Sequence, residues 1–268
     1  MSIITISRGS YSKGKEVAER VAKRLGYSCI SRDILVETSE HFNIPEMKLV
    51  RALHDAPSIL DRFTYGKERY LAYIESTLFE YARKDNVVYH GLAGHFILGG
   101  VKHLLRIRIL ANIEDRVALE VEREKISSDE ALHLLKKDDH ERRQWSLKLF
   151  GLDTWDPSLY DLVIHIHKIT VADAVDIICQ TVEREQFKTT PEAQKAIEDL
   201  ALAARVRAAL VSVVPNVGVS AVDGKVYVDA KGGLSEETEM AAELKDLARV
   251  IPGVKDVAVH ITPPSIYG

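Results

Sequence analysis

Residues 3–17 read IITISRGSYSKGKEV. The β-branched start, Ile3, Ile4, Thr5 and Ile6, predicts a short buried strand. A glycine-bounded loop follows, Gly9-Ser10-Tyr11-Ser12-Lys13-Gly14-Lys15, and helical spacing takes over from Gly14. Strand, glycine loop and a helix with a lysine at its mouth is the layout of a phosphate-binding loop. Backbone N–H groups curl around an anion, the helix N-terminus adds partial positive charge, and the lysine reaches the outer phosphates. Glu16 stands where a Ser or Thr hydroxyl would hold Mg²⁺. The plainer alternative is a glycine turn between a strand and a helix. The loop's position, directly after an apolar strand and opening a helix, favours phosphate binding.

The 268 residues are enough for one large domain or two smaller ones, and 46% hydrophobic with 28% charged residues predicts an ordinary globular core. A net charge of −4 gives no overall pull toward nucleic acid or an anionic membrane. Cys29 and Cys179 are far apart and make no CxxC, which reads as two buried free thiols. No run has the length of a membrane span, and the first residues lack the charged-then-apolar layout of a signal peptide. The expectation is a cytoplasmic protein with small-molecule partners and no nucleic-acid or membrane partner.

Along the chain, helical and strand patterns alternate. Helix 14–25 has Val17, Val21, Ala22 and Leu25 on one face and stops at Gly26. A strand near 27–30 and a helix over 34–41 come next, and Pro45, Pro57 and Gly66 break the pattern that follows. Helix 68–84, strand 87–90, strand 105–110 and helix 113–124 precede a capping box at Ser127 and Glu130. That box opens a helix to about 149, stopped at Gly151; strand 160–166 and a helix capped by Thr170 complete the series. Such alternation implies a mainly parallel sheet with helices on both faces, and ligands at the carboxyl ends of its strands. The loop Gly9–Lys15 falls at such an end.

At QFKTTP, 186–191, the pattern breaks. The expected division is a domain over 1–186, a linker over 187–191 and a second domain over 192–268. The second unit reads helix, strand, strand, helix, strand, with Asp223-Gly224 as its hairpin turn.

The first 185 or so residues resemble the cytidylate kinase-like family of P-loop nucleoside monophosphate kinases. The resemblance lies in ITISRGSYSKGKEVAERVAKRLGY, VVYHGLAGHFIL, LRIRILANIEDRV and DDHERRQWSLKLFGLDTWDPSLYDLVIHI. The second unit resembles a BON domain through AARVRAAL, VDGKVYVDAKG and PGVKDVAVHI. The first resemblance implies ATP and Mg²⁺ as donor and metal, with the donor phosphates held by Gly9, Ser10, Tyr11, Ser12, Lys13, Gly14, Lys15 and Glu16. Lys15, Asp139, Arg142 and Arg143 fall in its catalytic and lid positions, and Arg32 and Asp33 where the acceptor site begins. His167 and Lys168 fall where the family packs the ATP base. The other reading of Arg142 and Arg143 is a solvated helix face paired with Glu141, Asp138 and Asp139. The second resemblance implies phospholipid or partner binding, usually in envelope proteins. With no export signal and no basic amphipathic helix face bearing an exposed Trp, regulation of the first domain or self-association through an edge strand is expected instead, hence a homo-oligomer.

Three features depart from the family pattern. Glu16 is the first, leaving metal to phosphates and water, with Ser12 or Asp33 helping. Leu92 stands where the family tends to carry arginine after His90-Gly91, and no acidic residue ends this strand. His165 and His167 share one strand face, a pair that could bind metal, although no third ligand has matching spacing. Phe63, Tyr65, Tyr70 and Tyr73 are candidates for an acceptor-base pocket, with helix packing as the alternative for Tyr70 and Tyr73.

Overall fold

A computed structural model describes residues 2–9, 12–31, 33–42, 66–91, 93–233 and 237–263. Ser10, Tyr11, Arg32, Phe63, Tyr65 and Leu92 lie outside them. The first strand, β1 (Ile3–Arg8), leads through the glycine loop into α1 (Gly14–Leu25). Then come β2 (Ser28–Ile30), α2 (Asp33–Phe42), α3 (Gly66–Ala82), β3 (Val87–His90) and the single turn α4 (Gly94–Ile97). The unit continues with β4 (Leu104–Ala111), α5 (Ile113–Glu124), α6 (Ser128–Phe150), β5 (Leu162–Ile166) and α7 (Val171–Val182).

The five strands form one parallel sheet in the order β2-β3-β1-β4-β5. β1 is central: Ile6 stands beside His90 of β3, and Ser7 beside Arg108 of β4. Alternate residues of a strand face opposite sides, and two cores result. Ile4 and Ile6 of β1 with Leu105, Ile107 and Ile109 of β4 pack under Val17 and Val21 of α1 and Ile178 of α7. Ile3, Tyr89 and Leu104 pack on the other side against Ile74 and Leu78 of α3 and Trp145 of α6.

The helix ends follow the sequence punctuation. Gly26 and Gly151 take positive φ (69° and 67°), and their N–H groups bond back to Ala22 and Leu147. The Ser127 side chain accepts from the Glu130 N–H, and Thr170 with Asp173 makes a full capping box. The strand read from Tyr160 begins instead at Leu162. A 3₁₀ turn at Pro157–Leu159 holds the Tyr160 N–H on the Pro157 carbonyl and turns its ring into the interior.

The chain then forms α8 (Pro191–Leu210), β6 (Gly218–Val222), β7 (Lys225–Lys231), α9 (Glu237–Arg249) and β8 (Asp256–Thr262). β6 and β7 are antiparallel, joined at Asp223 and Gly224, both at positive φ; β8 joins β7 in parallel. The helix α8 belongs to two cores at once. Leu202, Val206 and Leu210 pack with Val226, Val228 and Leu244 of the C-terminal unit, whereas Ile197, Ala201 and Ala204 pack with Trp145 and Ile74. Ala208 and Val211 close over Tyr73, whose ring stacks on Phe42 at 4.0 Å. Tyr73 is thus buried in helix packing, only 5% exposed. No helix among the described residues is long and apolar enough to cross a membrane.

Candidate active site

A cavity of about 330 Å³ opens at the carboxyl edge of the parallel sheet, lined by Gly9, Ser12, Arg108, Leu110, Ala111, Arg116, Asp139 and Trp155. One wall is the glycine loop, where the Ser12 hydroxyl donates to the Gly9 carbonyl at 3.0 Å. Lys13 caps α1 with a left-handed backbone (φ 66°), which turns the chain sharply into the helix. Gly14 is buried beneath this turn, and a Cβ there would stand 2.6 Å from Arg8 Cβ. Backbone therefore passes directly over the Arg8 side chain, and only glycine leaves room for it.

The opposite wall comes from β4, α5 and α6. Arg116, on the first turn of α5, holds Asp139 of α6 through two bonds of 2.8 and 2.9 Å. Arg142 lies one turn beyond Asp139, and its Nη1 donates to the Arg8 carbonyl at 3.2 Å. Arg143 donates to both oxygens of Asp153 and lies over the Trp155 ring, with Cζ 4.4 Å from the centroid. Hydrogen bonds from Arg143, then one from the Trp155 N–H, hold the Asp153 carboxyl below the usual range. Beneath this wall, the Tyr160 hydroxyl lies 3.1 Å from Arg108 Nη1, 3.0 Å from the Thr154 carbonyl and 3.2 Å from His95 Nε2. Burial, reinforced by the charges of Arg108 and Arg106, depresses the His95 pKa to about 3.

Gly9, Ser12 and Asp139, expected from the sequence, thus meet at the cavity, and Arg142 and Arg143 flank it. Lys15 and Glu16 lie elsewhere: their side chains follow α1 on its outer surface, Lys15 paired with Glu19 at 3.7 Å and Glu16 with Arg20 at 2.7 Å. Asp33 opens α2. His165 and His167 are exposed, their ring centroids 6.3 Å apart, and His167 Nδ1 lies 3.1 Å from Asn112 Nδ2. No group of three His, Cys, Asp or Glu side chains that could hold a metal ion occurs among the described residues.

Among the described lining residues, sequence reading did not single out Arg108, Leu110, Ala111, Arg116 or Trp155. The signal for Arg108 was the alternation in Leu105–Leu110, which places arginine on one face of a strand beside the glycine loop. Arg116 had none beyond its place early in a helix, since its partner is 23 residues away.

Residues 3–168 match the model of the cytidylate kinase-like family. The chain belongs to that family. Cytidylate kinase of Sulfolobus acidocaldarius is 26% identical over 186 residues, covering 69% of this chain and 96% of the relative. Cytidylate kinase of Staphylothermus marinus is 26% identical over 191 residues, 69% of this chain and 98% of the relative. Among solved structures, an uncharacterized protein from Eubacterium ventriosum superposes with a TM-score of 0.53 at 21% identity, covering 69% of this chain and all of that one. The cytidylate kinase-like match ends at residue 168, ahead of α7 and the whole C-terminal unit. The eight described residues that line the cavity fall within it.

Proposed function

We propose that this chain transfers the terminal phosphoryl group of Mg–ATP to a nucleoside monophosphate, with CMP or dCMP favoured by its family. The observation that carries this reading is the cavity itself, where a glycine loop opening a helix faces a wall carrying Arg108, Arg116 and Asp139. Phosphoryl transfer needs little covalent help from a protein; it needs two phosphates held in line and cations around the transferring group.

In this reading Gly9, Ser10, Tyr11, Ser12, Lys13, Gly14, Lys15 and Glu16 form the donor loop. Lys15 swings from Glu19 to the phosphates, Arg142 and Arg143 offset charge on the group in flight, and Asp139 positions Arg116. Arg32 and Asp33 begin the acceptor side. Glu16 is already paired with Arg20, so the ligands of Mg²⁺ are the phosphate oxygens of ATP and water. The C-terminal unit, taken as BON-like over 192–268 after a linker at 187–191, serves regulation or self-association.

The test is ADP formation from Mg–ATP across CMP, dCMP, UMP, AMP and GMP, with Lys15→Ala as control. Turnover with one acceptor, lost in the variant, supports the kinase; tight ATP binding with no acceptor-dependent turnover sinks it. The latter result favours a second reading, a nucleotide-responsive regulator signalling through the C-terminal unit. Its supporting observation is α8, which is packed into both units and joined to α3 by Arg207 and Glu75.

A further inference from the structure

The arginines of β4 and of the cavity wall differ in how their charge is met. Arg106 pairs with Asp161, Arg116 with Asp139 and Arg143 with Asp153. Arg108 pairs with no carboxylate among the described residues. Its hydrogen bonds run through Nη1 to two neutral oxygens, the Thr154 carbonyl and the Tyr160 hydroxyl, and its guanidinium lies 5.5 Å from the Tyr160 ring centroid. Asp153 is near enough for Arg108 to lower its pKa, but both its oxygens are taken by Arg143. The result is a half-buried cation that makes no ion pair among the described residues, in the wall of a cavity shared with Gly9 and Ser12. Withdrawing a charge from water without a partner is costly. The aromatic face and the two neutral acceptors hold the group in place, yet leave Nε and Nη2 without hydrogen bonds among the described residues.

The sheet's two faces indicate which anion suits this cation. Ile107 and Ile109, on either side of Arg108 in β4, point into the core beneath α1. Arg108 therefore points to the opposite face, with Ser7 of β1 beside it and the Ser7 hydroxyl 3.5 Å from that of Tyr160. Phosphates held by the glycine loop would sit at the N-terminus of α1, the helix packed on the Ile107 and Ile109 face. The face of Arg108 is the one that carries α3, α4 and α6.

We propose that Arg108 is a specificity residue for the acceptor: through Nε and Nη2 it binds the phosphate monoester of the incoming nucleotide, while Nη1 stays on Thr154 and Tyr160. This rests on the phosphotransferase reading of the same cavity. A guanidinium is suited to the task because its planar fork matches two oxygens of one phosphate.

The test compares wild type, Arg108→Met, Arg108→Lys and Tyr160→Phe as full chains, titrated calorimetrically with ATP, with CMP and with cytidine, which lacks the phosphate. In Arg108→Met, CMP should bind roughly 10- to 100-fold more weakly, the worth of one charge-assisted contact. ATP and cytidine should stay within about twofold of wild type, since neither engages the lost group. Arg108→Lys should bind CMP more tightly than Arg108→Met but below wild type, and serves alone if the Met variant does not fold. Tyr160→Phe removes an anchor of the guanidinium but not its charge, and should weaken CMP less than Arg108→Met does. Equal losses for CMP and cytidine would show a strut that merely shapes the pocket and would overturn the proposal. Loss of ATP affinity instead would assign Arg108 to the donor, and unchanged CMP affinity in both Arg108 variants would also overturn it. A wild type that binds ATP but not CMP refutes the acceptor contact; one that binds neither refutes the phosphotransferase reading itself.

Discussion

Arg116 and Asp139 close a two-point ion pair against the backbone of Gly9, where a Cβ would stand 3.4 Å from Asp139 Oδ1 and 3.5 Å from Arg116 Cζ. The pair ties α5 to α6 at the mouth of the glycine loop. Arg116 is only 8% exposed, so removing Asp139 takes away a carboxylate that offsets its charge in a poorly solvated place. Asp139→Asn should cost about 2–3 kcal/mol in urea unfolding. The double variant Arg116→Met/Asp139→Leu, which removes both charges and keeps bulk, should recover more than half of that. Unfolding midpoints equal for wild type and Asp139→Asn would show that the pair contributes nothing.

Two neighbouring residues of the loop should respond with opposite signs. Lys13 holds a left-handed backbone that costs a non-glycine residue about 1 kcal/mol, so Lys13→Gly should raise stability by up to about that amount. Gly14→Ala would press a methyl within 2.6 Å of Arg8 Cβ and 2.8 Å of Arg8 Cδ. The first of these atoms is fixed to the backbone and cannot swing aside, so a loss of about 1–3 kcal/mol is expected. Thermal melts of the two variants read both signs. In the proposed function, ATP affinity should fall with Gly14→Ala, because the loop itself must shift.

Much of the architecture was legible because it is written in local rules. Gly26 and Gly151 stop helices, Ser127 and Thr170 start them, and the β-branched run at Ile3–Ile6 marks the central strand. From local pattern the site was legible only where one segment supplies it, and Asp139 was reached through the family resemblance. Gly9, Ser12 and Gly14 lie within six residues, whereas Arg116 with Asp139, and Arg108 with Tyr160, are joined across loops that no spacing rule spans. The same holds for α8. Its run ALAARVRAAL is apolar on more than one side, the mark of a helix buried between two layers. Nothing in its sequence says that one layer is α3.

His95 makes the edge of the sheet acid-sensitive. It is 5% exposed, and burial holds its pKa near 3, far below the ordinary 6.5. Between those values the unfolded chain binds a proton that the folded chain refuses. Stability should therefore fall as pH drops below 6.5, by up to about 1.4 kcal/mol per pH unit. His95→Gln keeps a polar group beside Tyr160 and removes the titration. Urea midpoints measured from pH 7 to pH 4 should fall less steeply for the variant than for wild type. Parallel profiles would mean that His95 accepts its proton without opening the fold.

Glu75 and Arg207 join α3 to α8 across the boundary of the two units, with Oε2 and Nη1 2.5 Å apart. Burial raises the Glu75 pKa above its ordinary 4.5, and the charge and hydrogen bond of Arg207 oppose that rise. An acid with a raised folded pKa keeps its proton longer in the folded chain, so its ionisation subtracts stability as pH rises above 4.5. Arg207→Met removes the opposing interaction and should enlarge this loss. The expected result is a variant close to wild type near pH 4.5 and progressively weaker toward pH 7, by about 1–3 kcal/mol at the upper end. Adding Glu75→Gln should return most of the difference and flatten its pH dependence. Because Ala201 and Ala204 of α8 share a core with Trp145 while Leu202 and Val206 serve the C-terminal unit, the loss should lower one transition seen by both Trp145 fluorescence and amide exchange in β7. Two separated transitions in Arg207→Met would show instead that this contact fastens together units that otherwise unfold independently.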